Sequence, residues 1–430
     1  MFSIALIAGW ICVAVWVYLL VGHGHFWRVS MLPALAKRNP ERGTQSIPDA
    51  AGSKDPYARL GAASFSPAVS VDASRDSAIA VVIPARNEAD VIGRAVTSLL
   101  QQTTNVLPTL SPESGEDHGA PSLHIFVVDD NSADGTAEVA RKAALEHSAS
   151  DRVTIISGRP LPPGWSGKLW ALQQGVEQAL TLKPDFLLFT DADIEYSSHN
   201  VGLLISAAEN GRYDLVSFMV KLHCRSLAER LLIPAFVFFF FMLYPPEWIR
   251  DPGRKTAGAA GGCILIRPAA LERIGGIAAI REEIIDDCAL ARAVKQSGGK
   301  VWLGATADSH SVRPYNSFDE VERMIARTAF NQLRHSALLL LGTVVGMLLI
   351  YVLPLALLVS GSARLALMGA IALLLMCGSY LPMVRFYGLS PLWALTLPVS
   401  ATFYTVATIH SAIKYWSGRG GEWKGRAQDR

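Results

Sequence analysis

The chain has 430 residues, a formal net charge of +2 at pH 7, and hydrophobic residues at 50% of its positions. This length allows more than one packed unit, whereas the low net charge and scattered basic residues argue against nucleic acid as a partner. The five cysteines form no Cys-x-x-Cys pair, which argues against a zinc knuckle or a disulfide framework and fits a reducing, cytoplasmic setting.

The chain begins with an uncharged apolar run, residues 2–21, that is long enough to cross a bilayer. It lacks the basic start and the cleavage site of a signal peptide, so residues 1–25 are predicted to be a retained membrane anchor. Residues 26–77 are predicted to be a flexible linker, rich in Ala, Ser, Gly and Pro. Basic residues near its start predict that the following chain lies in the cytoplasm; they are Arg28, Lys37, Arg38 and Arg42.

Apolar strands then alternate with helical segments. The predicted strands are 78–84, 124–130, 153–157 and 186–193, and the predicted helices are 89–102, 133–146 and 168–180. Such alternation is typical of an α/β fold with a mostly parallel sheet covered by helices on both faces. Ligands of such sheets bind at the C-terminal ends of the strands, where several acidic residues of this chain fall.

Two of these acids, Asp191 and Asp193, are one residue apart in "FTDADIEY". At an extended strand end they would point to the same side and repel each other unless a cation lies beside them. A divalent ion shared with a diphosphate is one interpretation, and a solvated turn is the other. Glu195 is predicted to be a solvated turn residue without a role.

Asp129 and Asp130 open "DDNSADGT", which has the composition of a turn. The functional alternative is a carboxylate that accepts hydrogen bonds from a uracil or a ribose. "PARNEAD", residues 84–90, is either a helix entry capped by Asn87 or part of a ligand site. "PPGWSGK", residues 162–168, offers backbone amides and Lys168 to a diphosphate, although its spacing is not that of a Walker motif.

A further helix is predicted from about residue 285 to Gly298, with Asp286 and Asp287 at its start. Acids at this position stabilise the helix dipole. Alternatively, the negative charge of Glu282 and Glu283 raises the pKa of one carboxylate, which then serves as a general base.

Residues 318–336 are predicted to form one helix, with Arg323, Arg327 and Arg334 broadly on one face. These arginines either meet a diphosphate leaving group or contact lipid headgroups at the membrane edge.

Residues 336–413 are predicted to contain about three transmembrane helices, at 336–359, 363–383 and 391–413. The apolar segment 231–246 is bounded by prolines and short for a span, which favours a helix at the membrane surface. Three late spans would place the basic tail, residues 414–430, outside, whereas the positive-inside rule places it inside. The sequence does not decide between these two locations of the tail.

In combination, these motifs resemble the family 2 glycosyltransferases, which have the GT-A nucleotide-sugar fold. The resemblance covers about residues 78–335 and rests on "VVIPARNEADVIGRAVTSLLQQ", "IFVVDDNSADGTAEVA", "GWSGKLWALQQG", "FLLFTDADIEY" and "IIDDCALARAVKQSGGKV". More narrowly, the chain resembles the bacterial glycosyltransferases associated with hopanoid biosynthesis, relatives of the ceramide glucosyltransferase type.

The resemblance implies a role for each matching residue. Pro84, Arg86, Glu88, Asp129 and Asp130 would line the nucleoside pocket. Lys168 would approach the diphosphate, Asp193 would ligate Mg²⁺ or Mn²⁺, and Asp191 would contact the metal, ribose or sugar. Asp287 would deprotonate the acceptor, although Asp286 stands where the family commonly has Glu, which leaves the choice between the two open.

The activity that the resemblance implies is inverting transfer of one sugar from a nucleotide-sugar, with a UDP-sugar as the expected donor, to a lipid acceptor such as a hopanoid. Processive members carry Gln-x-x-Arg-Trp, whereas here Gln332 is followed by Arg334 and no Trp, which argues against a polysaccharide synthase. A membrane binding protein that has lost catalysis is a further alternative, but it would be expected to lack the key carboxylates. The implied location is the bacterial inner membrane, with the catalytic domain facing the cytoplasm.

Overall fold

A computed structural model describes residues 2–29, 77–103 and 122–418, and the backbone of 422–423 and 426–427. Most of the predicted linker lies outside the described residues, with Lys37, Arg38 and Arg42. The loop after the first helix of the α/β region and most of the basic tail also lie outside them.

Strands and helices alternate in the order that the sequence predicts. The strands are β1 (Ile79–Ala85), β2 (Leu123–Asp129), β3 (Val153–Ser157), β4 (Phe186–Phe189), β5 (Ile194–Glu195), β6 (Leu215–Lys221), β7 (Ile264–Ile266), β8 (Val301–Ser311), β9 (Glu422–Trp423) and β10 (Arg426–Ala427). The helices of the α/β region are α2 (Ala89–Leu100), α3 (Thr136–Glu146), α4 (Gly167–Ala179), α5 (Asn200–Asn210), α6 (Leu227–Leu243), α7 (Pro246–Arg250), α8 (Pro268–Arg273), α9 (Asp286–Gln296), α10 (Phe318–Ala326) and α11 (Ala329–Gln332). The flanking helices are α1 (Phe2–Val21), α12 (Ala337–Met347), α13 (Leu353–Leu358), α14 (Ala363–Phe386) and α15 (Leu397–Trp416).

The main sheet has eight strands in the order β3-β2-β1-β4-β7-β6-β8-β5. The pairings of β1 with β2 and β4, of β2 with β3, and of β6 with β8 are parallel. Both neighbours of β7 are antiparallel to it, and β5 is antiparallel to β8. The predicted fold class, a mostly parallel sheet covered by helices, is therefore confirmed.

The sheet separates two apolar cores because alternate side chains of a strand face opposite sides. Val81 and Ile83 of β1 face the core beneath α2, α3 and α5. Ala80 and Val82 face the other core, which includes α4, α6 and α9 and continues to the flanking helices. Gly175 lets α4 approach this face closely, since a Cβ there would lie 2.3 Å from Val82 Cγ1.

Three sequence-based predictions about local structure are wrong. The strand predicted for 186–193 ends at Phe189, so Asp191 and Asp193 lie in a turn; its backbone is held by the Ile194 N–H to Asp191 O bond of 3.4 Å. Glu195 is part of β5 and pairs with Arg94 at 2.5 Å. The helix predicted for 318–336 is divided into α10 and α11, so its arginines do not share one helix face.

Within the part of the chain that the structure describes, five helical segments are long and apolar enough to cross a membrane: Ser3–Val21, Leu227–Arg250, Ala337–Leu358, Ala363–Phe386 and Pro391–Trp416. The start of α1 packs near the α13–α14 connection through Ala5 and Leu6. Farther along, Trp16 Nε1 donates to Ile350 O at 3.1 Å, within a π-helical segment that joins α12 to α13. Because α1 contacts this C-terminal segment both near its own start and farther along its length, these helices form one bundle.

The second of these segments, α6 and α7, cannot be a single crossing. It lies between β6 and β7 in the chain, and these strands are hydrogen-bonded neighbours, with Leu215 opposite Ile266. One crossing would place two adjacent strands of a sheet on opposite sides of a bilayer. This geometry favours the predicted surface position for residues 231–246.

The last helix, α15, contacts the α/β region near both of its ends. Ser400 Oγ and Tyr404 Oη donate to the carbonyl oxygens of Leu231 and Leu232 in α6, at 2.8 and 3.0 Å. Toward its C-terminus, Lys414 Nζ lies 3.7 Å from a carboxylate oxygen of Glu322 in α10. Helix α15 therefore lies along the α/β region.

Candidate active site

A cavity of about 720 Å³ opens at the ends of the central strands. We call it the main cavity. It brings together predicted site residues from five separate segments of the chain: Pro84, Glu88, Lys168, Asp191, Asp193, Asp286, Asp287 and Arg327.

Lys168 joins two of the predicted acidic motifs. Its Nζ lies 3.0 Å from Asp191 Oδ1 and 3.2 Å from Asp286 Oδ2, so it links the end of β4 to the start of α9. Burial alone would lower the pKa of Lys168, but the two carboxylates raise it well above its ordinary value. Burial would likewise raise the pKa of Asp191, but Lys168 lowers it overall. The ammonium group thus keeps this part of the cavity charged and ordered.

Asp193 has different partners from Asp191. Ser311 Oγ donates to Asp193 Oδ2 at 2.5 Å, and Arg313 Nε lies 3.6 Å from the same oxygen. Arg313 also forms an ion pair with Glu88. Burial and the charge of Asp191 raise the pKa of Asp193, and Arg313 only partly opposes them.

Two carboxylates of the main cavity are suited to a divalent cation. Asp191 and Asp193 offer the hard oxygen ligands that Mg²⁺ and Mn²⁺ prefer. Burial and the charge of Asp191 raise the pKa of Asp193, so a cation beside the pair would favour its charged form. Among the described residues, no group of three His, Cys, Asp or Glu side chains is arranged to hold a metal ion. The site therefore fits an ion that takes its other ligands from substrate phosphates and water.

Asp287 is held at the start of α9 by backbone amides. Its Oδ2 accepts from Gly261 N at 2.8 Å and its Oδ1 from Cys288 N at 2.7 Å. Burial raises the pKa of Asp287 to about 6, with a further contribution from the charge of Asp286, while Lys168 opposes the shift. Asp287 thus combines a fixed position with a pKa close to neutral, as a general base requires.

Arg86, Asp129 and Asp130 lie beside the main cavity but do not line it. Arg86 Nη1 donates to Asp130 O at 2.5 Å, and Asp130 is almost fully buried. Asp129 Oδ1 accepts from Ser132 N at 3.0 Å, which is turn chemistry. These contacts place the three residues at the ends of β1 and β2, while their predicted nucleoside contacts stay predictions.

The expected capping role of Asn87 is wrong. Asn87 Oδ1 accepts from Ala133 N at 3.0 Å, and the first amide of α2, Ala89 N, donates instead to Asp134 Oδ2 at 2.9 Å. The loops after β1 and β2 therefore hold each other in place.

The opposite part of the main cavity is apolar. Phe236 and Phe240 of α6 line it and, being four residues apart, lie on one face of the helix. Met219, Leu222 and Met324 complete this apolar lining. One cavity thus connects the carboxylates and Lys168 to a helix at the edge of the apolar bundle.

Arg327 lines the main cavity, as its predicted leaving-group role requires, but Gln332 and Arg334 do not. Gln332 pairs with Tyr244, whose Oη lies 3.0 Å from its Oε1. Both Gln332 and Arg334 line another cavity of about 490 Å³, which we call the second cavity. Arg327 lies directly after α10, whereas Gln332 ends α11 and Arg334 follows it, which leaves the membrane-edge role of Gln332 and Arg334 as a prediction.

Sequence reasoning missed Ser311, Arg313, Phe236 and Phe240 as cavity residues. It also missed Glu229, which is fully buried and accepts from the backbone N–H groups of Arg225, Ser226 and Tyr315 at 2.7, 2.8 and 2.7 Å. Glu229 thereby fixes the start of α6 to the segment after β8. The capping pair Ser226 and Glu229 was the available signal in the sequence, whereas "SVRPY" gave none.

Residues 80–275 match the family model described as Glycosyl transferase family 2. Over 119 residues the chain is 32% identical to 4,4'-diaponeurosporenoate glycosyltransferase of Staphylococcus aureus strain USA300. This match covers 28% of the chain and 24% of the relative, so the chain spans about a quarter of the length of the curated relatives it matches. The match supports the broad family resemblance and glycosyl transfer as the enzyme class.

Two solved structures are similar at low identity. The mannosyltransferase PcManGT from Pyrobaculum calidifontis, in complex with GDP-Man and Mn²⁺, is 16% identical with a TM-score of 0.49; 80% of this chain and 89% of that chain are covered. TarS 1–349 of S. aureus, in complex with UDP-GlcNAc, is 14% identical with a TM-score of 0.34; 80% and 92% are covered.

The raised pKa of Asp287 is expected to depend on Asp286. In Asp286→Asn the pKa of Asp287 should fall below about 6, because a neighbouring negative charge that disfavours ionisation is removed. Infrared difference spectra of the carboxyl bands across a pH titration measure this value, with Asp287→Asn to assign the band. Glu282→Gln, at an exposed neighbouring position, is the matched control and should leave it unchanged. An unchanged pKa in Asp286→Asn would show that burial alone sets it.

Proposed function

We propose that this chain, which carries a family 2 glycosyl transferase domain, is a membrane-bound inverting enzyme that transfers one sugar from a nucleotide-sugar to a lipid acceptor. We propose a UDP-sugar as the donor and a hopanoid as a candidate acceptor. The observation that carries the proposal is the main cavity, which joins a charged donor end to the apolar face of α6.

Asp287 is the proposed general base. Its carboxylate, the form present above a pH of about 6, takes the proton of the acceptor hydroxyl as the oxygen attacks the anomeric carbon. The bond from that carbon to the diphosphate breaks in the same displacement, which inverts the configuration. The backbone amides of Gly261 and Cys288 hold the carboxylate in one orientation for this transfer.

The donor end is assigned to Lys168, Asp191 and Asp193, with Arg327 directed at the leaving diphosphate. Asp193, with Asp191 beside it, would hold Mg²⁺ or Mn²⁺, which neutralises charge on the leaving group when bound. Pro84, Arg86, Glu88, Asp129 and Asp130 are proposed to contact the nucleoside, because they cluster at the ends of β1 and β2.

Transfer of a single sugar is favoured over polymer synthesis. Gln332 and Arg334 replace the processive motif in an altered spacing, and both line the second cavity and not the main cavity. A binding protein without catalysis is disfavoured because Asp193 and Asp287 are both present at the main cavity.

The packing supports a membrane topology with three crossings, by α1, α12–α13 and α14. The start of α1 lies by the α13–α14 connection, and its end lies by α6, where His23 Nε2 is 2.8 Å from Met242 O. The end of α14 returns to the α/β region, where Lys221 lies over the Phe386 ring. Helices α6 and α15 then lie along the cytoplasmic surface of a bacterial inner membrane, with the basic tail inside.

Transfer from radiolabelled UDP-sugars with Mn²⁺, to a hydroxylated hopanoid, an isoprenoid alcohol or a diacylglycerol, tests the function. Asp287→Asn should slow transfer by about 100- to 10,000-fold because it lacks a base. Asp193→Ala should weaken the Mn²⁺-dependent binding of UDP. Glu195→Gln, outside the main cavity, should behave as wild type. Full transfer by both site variants would refute the assignment, and a ladder of products would indicate a polymerase.

The aromatic pair of α6 is expected to bind the acceptor and not the donor. Phe236→Ala or Phe240→Ala should raise the KM for the lipid about tenfold or more through lost apolar contact, with the KM for the donor unchanged. Steady-state kinetics in mixed micelles measure both constants. Phe239→Ala is the control, since this ring packs on Tyr351 and Tyr404 instead. Equal changes in both KM values would contradict the assignment.

The proposed topology places the C-terminus in the cytoplasm. A green fluorescent protein fused after Arg430 should therefore fluoresce, and alkaline phosphatase at the same position should be inactive. The reverse pattern is expected for fusions after Gly361, in the α13–α14 connection. Active phosphatase at the C-terminus would mean that α15 crosses the membrane.

A further inference from the structure

The second cavity is distinct from the main cavity and has a cationic lining. Three basic residues reach it from different segments: Lys255 from the loop after α7, Arg292 from α9, and Arg334 from the α11–α12 turn. Glu283 is the one acidic residue among its lining residues. The cavity therefore has an excess of positive charge.

These three cations have no carboxylate partner within 4.0 Å among the residues that the structure describes. By contrast, Lys168 and Arg313 of the main cavity each contact two carboxylates. Like charges that converge without a partner repel each other, and an anion between them removes that repulsion. The arrangement points to an anionic ligand.

The backbone holds Arg334 in a defined position at the second cavity. Arg334 and His335 have φ values of 51° and 56°, so two successive residues other than glycine adopt the left-handed conformation. Such conformations are unfavourable and persist where the surrounding structure holds them. Here the His335 ring stacks on Tyr415 with centroids 3.9 Å apart, which holds Arg334 at the cavity.

The location identifies the source of the anion. Helix α12 begins at Ala337, three residues after Arg334, and its exposed leucines Leu338 and Leu341 mark the apolar layer. The cavity therefore opens at the level of lipid headgroups. Its volume of about 490 Å³ is large enough for a headgroup.

We propose that the second cavity binds the phosphate group of an anionic phospholipid. Guanidinium groups suit this ligand because they donate paired hydrogen bonds to phosphate oxygens. Glu283 lines both cavities, and Ile284 and Ile285 follow it toward the main and the second cavity, immediately before Asp286. A lipid bound here contacts the wall that holds the start of α9, and it thereby positions Asp286 and Asp287 at the membrane.

The test measures lipid binding, so it does not depend on the proposed sugar transfer. The full chain in phosphatidylcholine nanodiscs receives spin-labelled phosphatidylglycerol, and electron paramagnetic resonance reports the immobilised fraction. The double variant Arg292→Gln/Arg334→Gln should lose about tenfold or more in affinity, because charge-assisted hydrogen bonds are removed. Lys255→Gln, on an exposed loop, should also lower the affinity for the lipid, and this substitution carries little risk to folding.

Arg230→Gln is the matched control, because Arg230 is an exposed basic residue of α6 that lines neither cavity. Its affinity should stay within about twofold of wild type. Equal losses of affinity in Arg230→Gln and the double variant would show that general surface charge causes the binding, and the proposed site would be wrong. Displacement of the lipid by inorganic phosphate at equal concentration would assign the site to soluble phosphate, and equal binding of spin-labelled oleate would exclude phosphate recognition.

Discussion

The pairing of β6 with β7 is the constraint on which the rest of the structure depends. Between these neighbouring strands the chain inserts α6 and α7, an apolar segment with the composition of a membrane helix. Because both strands belong to one sheet, this segment must stay on one side of the bilayer and lie against the catalytic domain. The sheet thus carries its own membrane-facing surface, and Phe236 and Phe240 reach the main cavity from it.

The contacts within the main cavity explain how a charged donor end and an apolar surface coexist there. The carboxylates at its charged end would repel each other, but Lys168 and Arg313 each bridge two of them. Asp287 is held by backbone amides, and its pKa is raised mainly by burial, with a further contribution from the charge of Asp286. Two cations thus order the carboxylates where a diphosphate would bind, while burial raises the pKa of Asp287 where a proton would be taken.

The order of strands and helices, and most of the acidic residues that line the main cavity, could be predicted from the sequence. Apolar runs, turns and acids at strand ends are local patterns. The sequence could not predict that Lys168 joins Asp191 to Asp286, or that Arg313 reaches Glu88 across 225 residues of chain. Such contacts depend on how distant segments approach each other. The separation of Arg334 from Arg327 has a similar cause, since Arg327 lies in the two-residue break between α10 and α11 and Arg334 lies in the turn after α11.

The proposed position of α15 would reconcile hydropathy and charge in the C-terminal region. Its polar groups are directed at the catalytic domain: Ser400 and Tyr404 at α6, and Ser411 Oγ at Ala326 O, 2.5 Å away. Lipid itself could not supply partners for these groups. In the proposed topology, α15 covers α6, α10 and the start of α12, so its length and hydropathy alone do not show whether it crosses the membrane. Its basic end then remains in the cytoplasm, as the positive-inside rule requires.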